Sequence, residues 1–185
     1  MKIQSLFITL ILCESILVYA QKKANIEPDY LNYKSGICYG TCPIINCTIE
    51  NDRTVKIDKI VFIQRNEIDT SKSGSFEGKM TNQEWEQLSR FLQSGALTKN
   101  NFPQKDCCDN PMQNITIKRS GKLSQFKSMF PQNKAEPFID FLYQLSLRDN
   151  HKKIGYNESL FDKMEVPYLK PKLHSSSEEQ NNNQE

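Results

Sequence analysis

The hexapeptide Cys38-Tyr39-Gly40-Thr41-Cys42-Pro43 stands directly ahead of an alternating run, Ile44–Glu50. Two cysteines around a glycine, closed by a proline, describe a tight turn that can be cross-linked. The run that follows places Ile45, Cys47 and Ile49 on one face and Asn46, Thr48 and Glu50 on the other, the period of a half-buried strand. Asn51-Asp52-Arg53 then reads as a turn, and residues 54–63, rich in β-branched side chains, resume the alternation with Val55 and Ile57. The unbroken Ile60-Val61-Phe62-Ile63 departs from that period and marks a bulge or a strand end covered on both sides. A hairpin therefore follows the cysteine turn.

Residues 73–80 form a short strand weakened by Gly74 and Gly78, and they lead into Thr81-Asn82-Gln83-Glu84, a Thr-x-x-Glu capping box. Trp85, Leu88, Phe91 and Leu92 recur at helical spacing behind it, and Gly95 stands where a C-terminal cap belongs. Residues 96–111 are a loop long for a compact domain, which marks it as functional or pinned. Alternation returns at residues 113–118 and 123–130, around the turn Arg119-Ser120-Gly121-Lys122, giving a second hairpin. Phe138, Phe141, Leu142 and Leu145 then make one stripe of a second amphipathic helix, with Pro137 in its first turn, where proline is tolerated. The expected fold class is α+β: antiparallel hairpins forming a sheet, with two amphipathic helices packed on it.

The chain begins with Met1-Lys2, an apolar run over residues 3–12, and Ser15-Ile16-Leu17-Val18-Tyr19-Ala20 before polar Gln21-Lys22-Lys23. This is the pattern of a signal peptide cleaved between Ala20 and Gln21. Glu14 and Ser15 interrupt the run, whereas a span needs about 20 apolar residues, so no membrane span is expected after cleavage. Lipidation at Cys13 would need a small residue before it, and Leu12 is there. The expected organisation is residues 1–20 signal peptide, 21–29 linker, 30–149 domain and 150–185 a largely disordered polar tail ending in Ser, Glu, Gln and Asn. Both histidines, His151 and His174, fall outside the expected core. The expected location is secreted or periplasmic.

Of six cysteines, Cys13 lies in the leader. Cys47 shares the apolar strand face and is expected as a buried free thiol. Cys38, Cys42, Cys107 and Cys108 remain as disulfide candidates in an oxidising compartment. Adjacent Cys107 and Cys108 would form a strained ring, so the two arrangements that tie the turn to the long loop are preferred. Each such bridge closes roughly 65 residues and contributes about 4 kcal/mol in the chain-entropy model. The alternative makes the same four thiolates a soft-metal site, although Cys-x3-Cys beside an adjacent pair is not a zinc spacing.

The 24 basic and 22 acidic residues leave a net charge of +2, and their mixing shows no basic stripe for nucleic acid. No Gly-x-Ser-x-Gly elbow, His-Glu-x-x-His pair, phosphate loop or dinucleotide fingerprint occurs. No catalytic residue and no cofactor is called for. Asn46, Asn114 and Asn157 head Asn-x-Ser/Thr sequons.

The Cys-x-Gly-Thr-Cys-Pro phrase of residues 38–43, followed by a strand, a glycine-flanked strand, a helix and a second hairpin and helix, resembles a family of exported bacterial domains of unknown function. The resemblance covers residues 30–148 and implies a fold without an activity. A fainter likeness, in Ser73-Gly74-Ser75-Phe76-Glu77-Gly78 and the order of elements, is to emfourin, a proteinaceous inhibitor of metallopeptidases. The leading expectation is a non-enzymatic binding or interaction module for an unknown protein or envelope partner. A peptidase inhibitor presenting residues 96–111 is the alternative, and a cysteine-based metal or redox protein the third.

Overall fold

The alternating segments pair into one antiparallel sheet, because each has an apolar face that only a shared core can cover. The computed structural model describes residues 27–38, 40–65, 67–104, 109–156 and 159–164. In chain order these form β1 (Tyr30–Ser35), β2 (Ile44–Glu50), β3 (Thr54–Ile60), β4 (Phe62–Gln64), β5 (Glu67–Ile68), β6 (Gly74–Lys79), α1 (Asn82–Gln93), a 3-10 turn (Lys99–Asn101), β7 (Gln113–Arg119), β8 (Lys122–Ser128), α2 (Ala135–Leu147), β9 (Lys152–Gly155) and α3 (Ser159–Lys163). Seven strands lie in the order β8-β7-β1-β2-β3-β6-β9, and β4 and β5 make a separate ribbon. The mixed α+β class expected from the alternation is the one the chain adopts.

The strand β1 joins the two hairpins. It pairs with β2 on one side and β7 on the other, so Tyr33 lies opposite both Cys47 and Ile115. The same row continues through Ile57 and Phe76 in one direction and Phe126 in the other. Both helices cover this face. Trp85, Leu88 and Leu92 of α1 and Phe138, Leu142 and Leu145 of α2 are buried with Leu31, Tyr33, Cys47, Ile57 and Ile115 in a single cluster. Each fully buried large side chain there contributes about 1.5–3 kcal/mol relative to exposure.

Local signals set the element ends. The Thr81 hydroxyl accepts from the Glu84 N–H (3.2 Å), and the Glu84 carboxylate accepts from the Thr81 N–H (2.7 Å), so the capping box is complete. Ser120 and Gly121 both have positive φ, which matches the twist of a two-residue hairpin turn between β7 and β8. After Ile60 the chain leaves the large sheet, and residues from Phe62 onward build the small ribbon.

Two boundaries and the burial of one histidine differ from expectation. Residues 27–29, placed in a linker, are seated on the domain: Pro28 is buried, the Trp85 indole N–H donates to the Glu27 carboxylate (3.1 Å), and the Asp29 N–H donates to the Lys118 carbonyl (2.9 Å). The expected polar tail begins too early, since β9 extends the sheet and α3 crosses to its other face. There Leu160 and Phe161 bury Ile44 and Ile60 in a second, smaller core. The small apolar group Leu160, Phe161 and Met164 stands out in this polar stretch but is too short to show a period, yet it covers an apolar sheet end that would otherwise face water. His151, expected outside the core, is also buried. Residues 165–185, His174, Cys13 and the cleavage site at Ala20 and Gln21 lie outside the described residues. Among the described residues no helix is long and apolar enough to cross a membrane.

Candidate functional site

Cys38 and Cys42 are bonded to each other, with Cα atoms 5.8 Å apart. This corrects the expectation that each reaches across to Cys107 or Cys108, which lie outside the described residues. The physical reason is local: the β1–β2 connection folds back within a few residues, and its two cysteines come within ordinary bridging distance without help from the long loop. The bond also removes Cys38 and Cys42 as thiolate ligands for the four-cysteine metal alternative. Among the described residues no group of three or more His, Cys, Asp or Glu is arranged to hold a metal ion. Cys47 is free and fully buried, and burial pushes its thiol up to about 11.

The described part of the long loop packs inward. Phe102 and Asn101 are buried, and the Asn101 amide donates to the carbonyls of Gly95 (3.1 Å) and Ala96 (3.0 Å). Lys105, Asp106, Cys107 and Cys108 lie outside the described residues.

The sheet face opposite the helices is polar. Register aligns its side chains in rows across the strands, and one row reads Lys127, Asn114, Lys34, Asn46, Asp58 and Ser75 from β8 to β6. The next contains Gln125, Thr116, Asn32 and Thr48. Asn32 knits the rows together by donating to the Asn46 side-chain oxygen (2.7 Å) and the Thr48 hydroxyl (3.1 Å). Gln125 likewise donates to the Asn114 side-chain oxygen (3.2 Å).

A cleft of about 310 Å³ opens where this face meets the disulfide turn and the end of α3. Lys34, Asn46, Asn114 and Lys127 of the first row line it, Lys163 comes from α3, and Ile37, Ile44, Met112 and Met164 supply apolar wall. The Lys163 ammonium is 2.6 Å from the Asp58 carboxylate. The staple at Cys38 and Cys42 closes the connection that carries Ile37, which keeps 42 % of its surface exposed. The cleft can hold a ligand by charge, hydrogen bonding and apolar contact.

A second polar cluster sits beneath the end of α2. The Lys59 ammonium donates to the Ser146 carbonyl (3.2 Å) and lies 4.6 Å from the centre of the Phe76 ring. A cation at a helix C-terminus is favourable, although burial holds this lysine below its ordinary value. Nearby, Arg148 donates to His151 Nε2 (3.2 Å), to the Lys79 carbonyl (3.0 Å) and to the Glu84 carboxylate. Burial, then Arg148 and Lys59, depress the His151 imidazole to about 4. These groups fasten α1, α2 and β9 to the sheet.

Sequence reasoning located the cysteine turn but not the row of lysines and amides beside it. Their alternation along β1, β2 and β7 is visible, whereas their alignment depends on which strands pair. A family described as Domain of unknown function (DUF6438) matches residues 29–146, from just before β1 to near the end of α2. The match leaves out β9, α3 and hence Lys163. No curated protein matches the chain. With well over half of its 185 residues accounted for by that match, the chain belongs to the DUF6438 family of domains of unknown function.

Proposed function

We propose that the domain is an exported, non-enzymatic binding module and that the cleft beside the Cys38–Cys42 turn is its binding surface. The observation that carries this reading is convergence: β1, β2, β8 and α3 each contribute polar or apolar wall to one concave site of about 310 Å³, within the size range of small-ligand sites. The lining groups are lysines, amides and apolar side chains, suited to holding a ligand. The disulfide rigidifies one rim, which lowers the entropy lost when that rim is ordered around a partner. On the same reading the leader delivers the chain to an oxidising compartment, where the staple forms.

Backbone-amide chemical shifts during titration with a panel of short carboxylates, alcohols, amines and acidic and basic tripeptides test the surface. Shifts gathered at residues 34–37, 44–46 and 112–114 are expected. Shifts gathered between α1 and α2 would displace the site, and turnover of any probe would overturn the non-enzymatic reading. N-terminal sequencing of the exported chain is expected to begin at Gln21.

A further inference from the structure

The large sheet ends on one side in β8 and on the other in β9. The β9 edge is four residues long and meets β6 across a register shift, features that blunt a sheet edge. β8 has neither: its seven residues pair one to one with β7 and include no proline. The side-chain amide of Gln104, which lies outside the sheet, donates to the Lys127 carbonyl (2.6 Å). Alternate residues of an antiparallel strand turn their N–H and C=O to the same side, so Leu123 and Gln125, in phase with Lys127, present theirs to the free edge. Leu123 shares the polar face with Lys118 and keeps 63 % of its surface exposed. Such an edge is a template for an added strand.

Charge selects the occupant. Residues 113–128 contain Lys118, Arg119, Lys122 and Lys127 but no Asp or Glu. Among the described residues none of these four cations has an ion-pair partner. Asp29, which precedes Tyr30 and so stands beside Arg119, accepts from the Gly121 N–H instead (3.1 Å). On the helix side of the edge, Arg119, Lys122, Ser124 and Phe126 line a pocket of about 210 Å³. Arg119 Nε and Nη2 are buried there without a hydrogen-bond partner among the described residues, a cost that folded proteins rarely leave standing. A second copy of β8 would set the same lysines against these, whereas an acidic strand supplies the complement. We propose that β8 accepts an extended acidic peptide as a further antiparallel strand, with main-chain bonds to Leu123 and Gln125 and a carboxylate side chain in the pocket beside Arg119 and Lys122. The period of two then asks for an acid-apolar-acid pattern: the apolar residue lies opposite Leu123, and the acids lie opposite Lys122 and Ser124. The Arg119 side chain turns into the pocket to meet the carboxylate, exchanging unmade bonds for a charge-assisted pair. This edge is separate from the cleft, which touches β8 only at Lys127.

The test is titration of the intact chain with the blocked peptide Thr-Glu-Val-Glu-Thr, its Gln-for-Glu and Lys-for-Glu counterparts, and the acidic peptide N-methylated at valine, followed by amide shifts and hydrogen exchange. The acidic peptide is expected to shift residues 119–126 and to slow exchange at the Leu123 and Gln125 amides, with the Lys peptide inert. It should bind about tenfold more tightly than the Gln peptide and than its N-methylated form, the scale of one lost hydrogen bond to a charged group or of an edge bond with its unpaired partner. Arg119→Gln and Lys122→Gln should each weaken the acidic peptide about tenfold, leave the Gln peptide unchanged, and preserve the circular dichroism. Equal binding of the acidic and Gln peptides, or acidic binding indifferent to both substitutions, would overturn the charge assignment. Binding without slower exchange at Leu123 and Gln125, or unaffected by N-methylation, would overturn strand addition. Shifts gathered at the cleft instead, or none at residues 119–126 at millimolar peptide, would overturn the proposal as a whole and leave the reading of the cleft standing.

Discussion

The imidazole of His151 lies directly against the backbone of Gly78, so a Cβ at position 78 would stand 2.5 Å from His151 Cδ2. The first residue of the β9 approach is thereby pressed onto β6 at a point where only glycine fits. Gly78→Ala is expected to destabilise the fold by about 1–3 kcal/mol through overpacking. Urea denaturation measures it. The double variant with His151→Ala should regain part of the loss, whereas an equal or greater loss in the double variant would show that the contact is not the cause.

His151 also makes stability depend on pH. Its folded value, about 4, lies below the ordinary 6.5 of an unfolded histidine, so between those values the unfolded chain takes up a proton that the folded chain refuses. Stability therefore falls as pH drops through that window and levels off below it, by up to about 3 kcal/mol. Glu84, Arg148 and Lys59 face the ring. Denaturation at pH 7 and pH 4.5 should show a smaller difference for His151→Gln than for the unaltered chain; equal differences would contradict the assignment.

The cysteines should separate by chemistry. Alkylation of the native, unreduced chain is expected to spare Cys47, whose thiol is buried and held protonated, and to modify it after unfolding. Peptide mapping should recover Cys38 joined to Cys42. Because the closed ring is short, its reduction should cost about 2 kcal/mol in the chain-entropy model, against the larger cost of a bridge to the long loop. The reduced chain should remain folded, with faster amide exchange near residues 36–44. Mapping that joins either cysteine to Cys107 or Cys108 would refute this arrangement.

Phe161 provides the test of the second core. It is fully buried against Ile44, Ile60 and Leu160 on the face opposite the two long helices. Phe161→Ala should destabilise by about 3–5 kcal/mol, read by thermal or chemical denaturation. A loss under 1 kcal/mol would mean that α3 contributes little to the fold.

Much of the architecture is legible in residue order. The alternation of Ile45, Cys47 and Ile49, the capping box at Thr81 and Glu84, and the helical stripe of Phe138, Leu142 and Leu145 all describe faces that must be buried, and local geometry dictates their period. The candidate site is less legible. Lys34, Asn46, Asn114 and Lys127 lie far apart in the chain, and nothing in their local neighbourhoods announces a common row.

By itself, then, the sequence determined the kinds of element, their order and the apolar faces they turn inward, because these follow from backbone periodicity and side-chain burial. Tertiary structure alone decided that β1 lies between the two hairpins, that Cys38 meets Cys42, that His151 is buried on Gly78, and that α3 closes the opposite face. It also brought the lysines and amides together beside the staple. Each of these depends on pairing register and close approach between distant segments, energies that exist only once the strands have met.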